Sequence, residues 1–310
     1  MENSSKTLKG SALVVCAALL WALDGVIRRS LFTLPPITII FFEHLFGAII
    51  ILPFVWKALA SERLLVQEWL MIILISLLSG LFGTLWFTTA LLKSGFISFS
   101  VVFLLQKLQP IFAISTARIF LKEKLTKKYI IWAVLALVAA YFVTFPKGIV
   151  NFSTGSGTVI AALYALGAAF AWGSSTTFSK IALKKRSHSY VTAVRFFITT
   201  LLALCFMIII HQTPSLHYPS LSQFARFALI AVSTGMLALL IYYKGLQKIP
   251  VKVSTILELT FPLVAILIDA ILYHSFLSFS QAIAAIVLIA SMYKISTIRI
   301  SENETSIQNN

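Results

Sequence analysis

Ten apolar runs of about 20 residues follow one another along the chain, with short polar segments between them. A run of this length is enough to cross a hydrocarbon core of roughly 30 Å as an α-helix. Helices satisfy their own backbone hydrogen bonds in lipid, and the runs lack the short alternating pattern of barrel strands. The sequence therefore predicts an all-α integral membrane protein with ten transmembrane helices near residues 10–30, 37–57, 69–92, 97–120, 127–146, 157–180, 188–211, 222–246, 251–273 and 277–298.

Composition excludes a water-soluble domain, because 59% of the residues are hydrophobic and 11% are charged, whereas soluble domains carry roughly a quarter charged residues. The net charge of +15 would suggest nucleic acid as a partner of a soluble protein. Here the basic residues are concentrated in alternate loops of a membrane protein. The predicted partners are therefore the lipid bilayer and a small-molecule substrate, and not nucleic acid.

The distribution of Lys and Arg predicts the orientation of the chain. With the N-terminus inside, seventeen basic residues fall on the inner side and four on the outer side. By the positive-inside rule this places both termini in the cytoplasm, and we expect the protein in the bacterial cytoplasmic membrane. Asp24 interrupts the first apolar run, so that run is predicted to be a retained helix and not a cleaved signal peptide. The polar segment 301–310 is predicted to be a disordered tail.

The chain resembles itself at a shift of 151 or 152 residues. Residues 17–29 align with 168–180, and residues 104–113 align with 256–265. The alignment pairs Trp21 with Trp172, His44 with Arg195, Gln106 with Glu258, and Pro110 with Pro262.

These matches predict two five-helix repeats, over residues 1–150 and 151–300. Because five is an odd number, the second repeat enters the membrane from the opposite side, which makes the pair an inverted repeat. Exchanging the conformations of two inverted halves converts an inward-open cavity into an outward-open one. The repeat therefore favours a transporter that works by alternating access.

Over residues 10–298 the chain is similar to the EamA branch of the drug/metabolite transporter superfamily. The resemblance rests on ALLWALDGV, AAFAWGSST, His44, Arg195, LLQKLQP, LKEKLT, YYKGLQKIPVKVS and ELTFP. It implies a secondary carrier of small metabolites, often an exporter of amino acids and related compounds, with a central cavity between the halves. The chain departs from the family where LYHSFLSF (272–279) replaces a usual Gly-Glu.

Acidic residues inside the bilayer are candidates for function, because each one costs about 3 kcal/mol on insertion scales. Four lie in the predicted helices: Asp24, Glu43, Glu258 and Asp269. Glu258 is the strongest candidate, since Pro262 lacks the N–H that would bond the Glu258 carbonyl and thus predicts a kink with a free carbonyl. Gln106 and Pro110 repeat this arrangement, and the prolines are candidate hinges. Alternatively, both kinks are structural and Glu258 is solvated beside Lys252.

Two further groups of helix 1 have open interpretations. Asp24 and Arg28 are four residues apart, which favours an ion pair that reaches the outer interface, although Asp24 also suits a cavity. Trp21 and its repeat partner Trp172 suit either packing or aromatic cavity walls.

Arg195 and His44 are the polar residues of the second helix in each half. Arg195 either extends to the cytoplasmic interface beside the basic residues 184–186 or faces the cavity. His44 is a candidate for proton coupling, because its reference pKa is about 6.5. The aromatic residues Trp86, Tyr242 and Tyr243 are predicted to line the same cavity.

The sequence lacks the motifs of several other functions. It contains no phosphate-binding loop, no H-E-x-x-H pair, no G-x-S-x-G elbow and no Cys/His cluster with metal spacing. We therefore predict no enzyme activity, no cofactor and no metal site, with a passive channel as the main alternative and a membrane enzyme as a weaker one. Cys16 and Cys205 are predicted to be small core residues. Small residues in helices 5 and 10 suit contacts within or between subunits, so a monomer and a homodimer both remain open.

Overall fold

A computed structural model of the protein describes residues 2–93, 101–145, 148–152, 157–273 and 278–308. The helices in these ranges are α1 (Glu2–Arg29), α2 (Pro36–Ser61), α3 (Val66–Ile75), α4 (Thr84–Lys93), α5 (Val101–Gln106), α6 (Gln109–Phe120), α7 (Lys127–Thr144), α8 (Thr158–Leu183), α9 (His188–Ile209), α10 (Leu221–Ala231), α11 (Met236–Leu246), α12 (Val251–Leu257), α13 (Thr260–Tyr273) and α14 (Phe279–Gln308). The helix α14 includes most of the segment for which the sequence predicts a disordered tail. The side chains of Asp269 and of residues 299–310 lie outside the described part.

Ten crossings of a membrane follow from these helices, which confirms the predicted all-α fold. Eight segments of the described chain are long and apolar enough to span a bilayer. The remaining two crossings are broken helices, α5 with α6 and α12 with α13. We call the side at which α1 begins the terminal side, and the opposite side the far side.

The third and fourth spans of each half are irregular at positions that the repeat relates. In the first half a π-helical segment, Ser76–Gly83, joins α3 to α4. Its counterpart in the second half is the turn between α10 and α11, where the Gly235 N–H donates to the Ile230 carbonyl at 2.7 Å. The fourth spans are interrupted at residues 107–108 and 258–259. Irregular backbone is tolerated at membrane depth where it is buried in protein or lines a cavity.

Helices of the two halves pack directly against each other. α1 packs on α11, α2 on α9, and α6 and α4 on α8. One close approach requires glycine: a Cβ at Gly173 of α8 would lie 2.5 Å from the Gln109 carbonyl oxygen at the start of α6. Because the obstacle is backbone, it cannot move aside as a flexible side chain would. This contact fixes α8 against the first broken helix.

Both cysteines are placed differently from the prediction. Cys16 and Cys205 are exposed on the surface of the bundle and are not small core residues. An apolar run identifies a helix in lipid but does not say which of its faces meets lipid, because both faces are apolar.

Candidate substrate cavity

A cavity of about 290 Å³ lies at the centre of the bundle, between the two halves. This volume is close to the lower end of the range for small-molecule sites, about 300–1,000 Å³. The irregular third and fourth spans of both halves supply much of its wall. The predicted site residues among its lining are Trp21, Asp24, His44, Gln106, Pro110, Trp172, Arg195, Tyr242, Tyr243, Glu258 and Pro262.

Glu258 lies at the second helix break and its carboxylate binds three neutral groups. It accepts hydrogen bonds from the Tyr242 hydroxyl at 2.6 Å, the Ser254 hydroxyl at 3.3 Å and the Gln109 amide at 3.1 Å. Gln109 belongs to the first half, so this hydrogen bond joins the halves at their crossing. Lys252 is directed elsewhere, since its ammonium donates to the Lys124 carbonyl at 2.6 Å. The alternative in which Lys252 solvates Glu258 is therefore not what the structure shows.

The prediction that Pro262 leaves the Glu258 carbonyl without a donor is wrong. The Phe261 N–H donates to that carbonyl at 3.0 Å. The break tightens the backbone into a turn with i to i+3 hydrogen bonding, which replaces the lost helical bond. The polar group offered to the cavity is thus the Glu258 side chain and not its carbonyl.

Gln106 occupies the equivalent break in the first half. Its side-chain amide donates to the Gln109 side-chain oxygen at 2.9 Å, while its own side-chain oxygen is buried without a hydrogen-bond partner in the described part. A buried acceptor without a donor is costly unless a ligand or water supplies one. The two breaks therefore present to the cavity the Glu258 carboxylate and the side-chain oxygen of Gln106, which has no partner in the described part.

Aromatic rings form two walls of the cavity. The ring centroid of Trp21 lies 5.0 Å from that of Tyr242, and that of Trp172 lies 5.1 Å from that of Phe87. The Trp172 indole N–H donates to the Ser79 carbonyl at 3.2 Å, in the π-helical segment.

Trp86 is the one predicted lining residue that the structure places elsewhere. Its ring stacks on Phe82, with centroids 5.1 Å apart, and packs against Gly167 of α8. Phe87, the next residue, faces the cavity instead. The π-helical segment just before α4 carries extra residues per turn, which rotates the following helix relative to a regular α-helix. The helix therefore presents Phe87, and not the predicted Trp86, to the cavity.

Arg195 faces the interior and does not extend to the interface. Its guanidinium donates to the Tyr243 hydroxyl at 2.8 Å and to the Ser79 hydroxyl at 2.5 Å. Its Nε is buried and has no hydrogen-bond partner among the described residues. Arg195 is thus a buried cation that joins α9 to the π-helical segment of the other half, and its Nε–H remains available as a donor.

His44 is buried and lines the cavity. Its Nδ1 lies 2.9 Å from the Ile40 carbonyl oxygen, and its ring lies 4.9 Å from the Phe196 ring.

Asp24 and Arg28 form the predicted ion pair, but the pair is buried and has more members. The Arg28 guanidinium binds Asp24 at 2.5 Å and Glu43 at 2.8 Å. The Thr234 hydroxyl, in the turn of the third span of the second half, donates to Asp24 at 2.5 Å. Arg28 therefore does not reach the outer interface, since two carboxylates hold it inside. Asp24 serves both interpretations, because it is paired and also lines the cavity.

The polar residues that the sequence analysis did not single out include Lys107, Gln109 and Thr234, which line the cavity, and Ser254, which donates to Glu258. Three of them lie at or beside an irregularity that glycine or proline marks. The available signal was the Gln106-to-Gln109 spacing, which puts two amides on one helix face. Serine and threonine in an apolar run carry little signal, because they usually bond the carbonyl one turn back.

Polar contacts join the two halves on the terminal side. The Glu123 carboxylate accepts from the backbone N–H groups of Val251 and Lys252 at 2.8 and 3.0 Å. The Tyr129 hydroxyl donates to the Lys252 carbonyl at 2.7 Å. Arg186 forms a second cluster of contacts between the halves.

Arg186 binds Glu68 at 2.7 Å and Glu62 at 2.8 Å. These hydrogen bonds hold the pKa of Arg186 above its ordinary value. In the described ranges no group of three or more His, Cys, Asp and Glu side chains could hold a metal ion.

Comparisons with known proteins give a consistent result. The EamA-like transporter family matches residues 8–145 and again residues 159–297. A riboflavin transporter, ImpX of Fusobacterium nucleatum subsp. nucleatum, is 35% identical over 303 residues, which cover 93% of this chain and 98% of that protein. A crystal structure of a protein with 17% sequence identity has the same fold, with a TM-score of 0.73 over 96% of this chain and 98% of that one.

Proposed function

Because the chain belongs to the EamA-like transporter family, we propose that it is a secondary transporter of riboflavin or a closely related flavin. The chain is a multi-pass membrane transporter by family. The observation that carries the flavin assignment is the central cavity, in a chain whose similarity to a riboflavin transporter extends over nearly its whole length.

The chemistry of the cavity matches a flavin in two respects. The flavin ring system is flat and aromatic, and the cavity offers the Trp21 and Trp172 walls for stacking. The pyrimidine edge of the ring alternates carbonyl acceptors with one N–H donor. The unsatisfied Gln106 side-chain oxygen suits that donor, and the unsatisfied Arg195 Nε–H suits an acceptor.

Transport is proposed to proceed by alternating access, with the four irregular spans as the moving parts. The inverted halves would exchange conformations around the crossing of Gln109 and Glu258. Glu258 is proposed to couple transport to protons, because it is a carboxylate in the cavity with only neutral partners. By the charge distribution we place the protein in the bacterial cytoplasmic membrane with both termini inside.

A second candidate function is export of a small zwitterionic metabolite, such as an amino acid. The observation in its favour is that acidic and basic residues both line the cavity. Glu258 is acidic, and Arg195 and Lys107 are basic. Such groups could bind the ammonium and carboxylate of one substrate.

Riboflavin is fluorescent, so binding to the purified protein is measured by quenching of its emission. We expect saturable quenching that Trp21→Leu weakens and Trp86→Leu leaves unchanged, because both tryptophans are partly buried but only Trp21 lines the cavity. Wild-type protein that does not quench riboflavin emission would contradict the flavin assignment.

Transport is measured with labelled riboflavin in proteoliposomes of both orientations, to give the direction of net flux. Counterflow separates a carrier from a passive channel, since unlabelled riboflavin inside the vesicle accelerates uptake only through a carrier. Amino acids serve as competitors and as alternative substrates. Exchange of an amino acid without exchange of riboflavin would favour the second candidate.

A further inference from the structure

Lys107 lies in the break between α5 and α6 and lines the central cavity. Its ammonium lies 5.7 Å from the ring centroid of Phe261, in the first turn of α13 after the other break. The contact therefore joins the two broken helices at their crossing. A neutral aromatic face attracts a cation but supplies no hydrogen-bond acceptor atom and no opposite charge.

No described carboxylate is an ion-pair partner of Lys107. The chain has ten acidic residues, and the six with described side chains all bind other groups. Asp24 and Glu43 bind Arg28, Glu62 and Glu68 bind Arg186, Glu123 binds the backbone at the start of α12, and Glu258 binds Tyr242, Ser254 and Gln109.

The other two cationic residues that line the cavity, Arg28 and Arg195, differ from Lys107 in this respect. Arg28 is paired with Asp24 and Glu43. Arg195 is held by two hydrogen bonds, to the Tyr243 and Ser79 hydroxyls, whereas the contact described for Lys107 is the Phe261 ring, which supplies no acceptor atom. An ammonium group carries three donors, and a charged group inside the bilayer requires a partner. Lys107 therefore has donors available at the place where a substrate would sit.

We propose that Lys107 is a substrate-binding residue that recognises an electron-rich acceptor atom of the flavin. The inference rests on the function proposed above and goes beyond it by assigning a cationic subsite. The acceptor is either the carbonyl edge of the ring system or the phosphate of a phosphorylated flavin. Both present a hydrogen-bond acceptor with negative charge density. The compact ammonium of Lys107 can donate to either of them.

The test compares Lys107→Met, which keeps the length of the side chain but removes the charge, with Lys107→Arg, which keeps the charge. Lys244→Met is the matched control, because Lys244 is an exposed lysine of α11 outside the cavity. Each variant is purified, checked for a monodisperse elution profile, and titrated with riboflavin, riboflavin 5′-phosphate and lumiflavin, which has the ring without the polyol chain.

Loss of a hydrogen bond from a charged donor corresponds to a fall in affinity of about tenfold or more. If the acceptor is the ring, Lys107→Met weakens riboflavin and lumiflavin by the same factor. If it is the phosphate, only riboflavin 5′-phosphate is weakened. In both cases Lys107→Arg restores most of the affinity, and Lys244→Met binds like the wild type.

Equal affinities of the wild type and Lys107→Met for all three ligands would overturn the subsite while leaving flavin transport standing. Equal losses in Lys107→Met and Lys244→Met would also overturn it, since the effect would then be one of overall charge. A wild-type protein that binds none of the three would overturn the proposed function and the subsite together, which separates that failure from the first.

Discussion

Replacing Glu258 by Gln removes one negative charge from the cavity and almost nothing else. The amide can accept from Tyr242 and Ser254 through its oxygen, as one carboxylate oxygen does now. Its NH₂ group would then meet the Gln109 NH₂ group, which donates to Glu258 in the native protein. Rotation of both the Gln109 and the Gln106 amides resolves this conflict, because the Gln106 side-chain oxygen, at present without a partner in the described part, then accepts from the rotated Gln109.

Two opposing terms decide the stability of Glu258→Gln. A hydrogen bond to a charged group contributes about 1.5–3 kcal/mol and a neutral one about 0.5–1.5 kcal/mol. Weakening three such bonds therefore costs about 3 kcal/mol. Removal of an ionised side chain from the bilayer interior stabilises the protein by about 2.5–3.5 kcal/mol on insertion scales. Because the terms nearly cancel, we expect a melting temperature within about 5 °C of the wild type.

Intrinsic tryptophan fluorescence is the suitable probe of this melting temperature. Glu258→Ala is the comparison variant, since it leaves the Tyr242 hydroxyl and the Gln109 amide without their acceptor. It should be less stable than Glu258→Gln, because a buried donor without a partner costs about 1–3 kcal/mol.

Transport distinguishes the roles that a stable Glu258→Gln protein leaves open. If Glu258 carries a coupling proton, the variant keeps substrate exchange and loses its response to a pH gradient, because exchange requires no net proton movement. If Glu258 binds substrate through its charge, exchange fails as well. Unchanged uptake, exchange and pH response in a folded variant would refute the assignment of Glu258 to the mechanism.

Three further predictions follow from the same structure. Pro110→Ala and Pro262→Ala should each lower transport more than membrane abundance, because a restored N–H favours a continuous helix over the break; wild-type rates at equal abundance would mean that the breaks are only structural. Glu123→Ala should lower the melting temperature, since two backbone donors lose a charged acceptor that contributes about 1.5–3 kcal/mol per bond; an unchanged value would argue against this closure of the terminal side. In a cysteine-free background, an impermeant reagent added to intact cells should label His217→Cys, and should label Lys184→Cys only after permeabilisation; the reverse pattern would refute the proposed orientation.

The fold was predictable from the sequence because its strongest signal is physical and repeated. A run of 20 apolar residues has few alternatives in lipid, and the internal alignment of Gln106 with Glu258 and of their prolines indicated where the fourth spans break. The consequence of the break was not predictable. A missing N–H predicts a free carbonyl only if the backbone stays helical, and here the Phe261 N–H replaces it.

The contents of the cavity were harder to predict, because side-chain direction depends on helix geometry that the sequence signals weakly. The π-helical segment exchanges Trp86 for Phe87 at the wall. Arg195 had two reasonable positions from sequence, and its position depends on hydroxyl groups of Tyr243 and Ser79 that lie far away in the chain. Lys107 did carry a signal, since a lysine in the middle of the predicted helix 97–120 is costly in lipid, but the sequence does not indicate that it faces the cavity.

The contacts between the halves differ in chemistry at the two ends of the bundle, although the sequence predicts that the halves are related by an inverted repeat. On the terminal side Glu123, in the segment LKEKLT, bonds the backbone at the start of the second broken helix. Perfect inversion would place an equivalent carboxylate on the far side, but the corresponding segment LYHSFLSF contains no acidic residue. The far side instead has hydroxyl contacts, such as Thr38 with Ser215 at 2.5 Å. Because a hydrogen bond to a charged acceptor is stronger than one between neutral groups, we expect the Glu123 contacts to oppose separation of the halves on the terminal side more than the Thr38–Ser215 contact does on the far side.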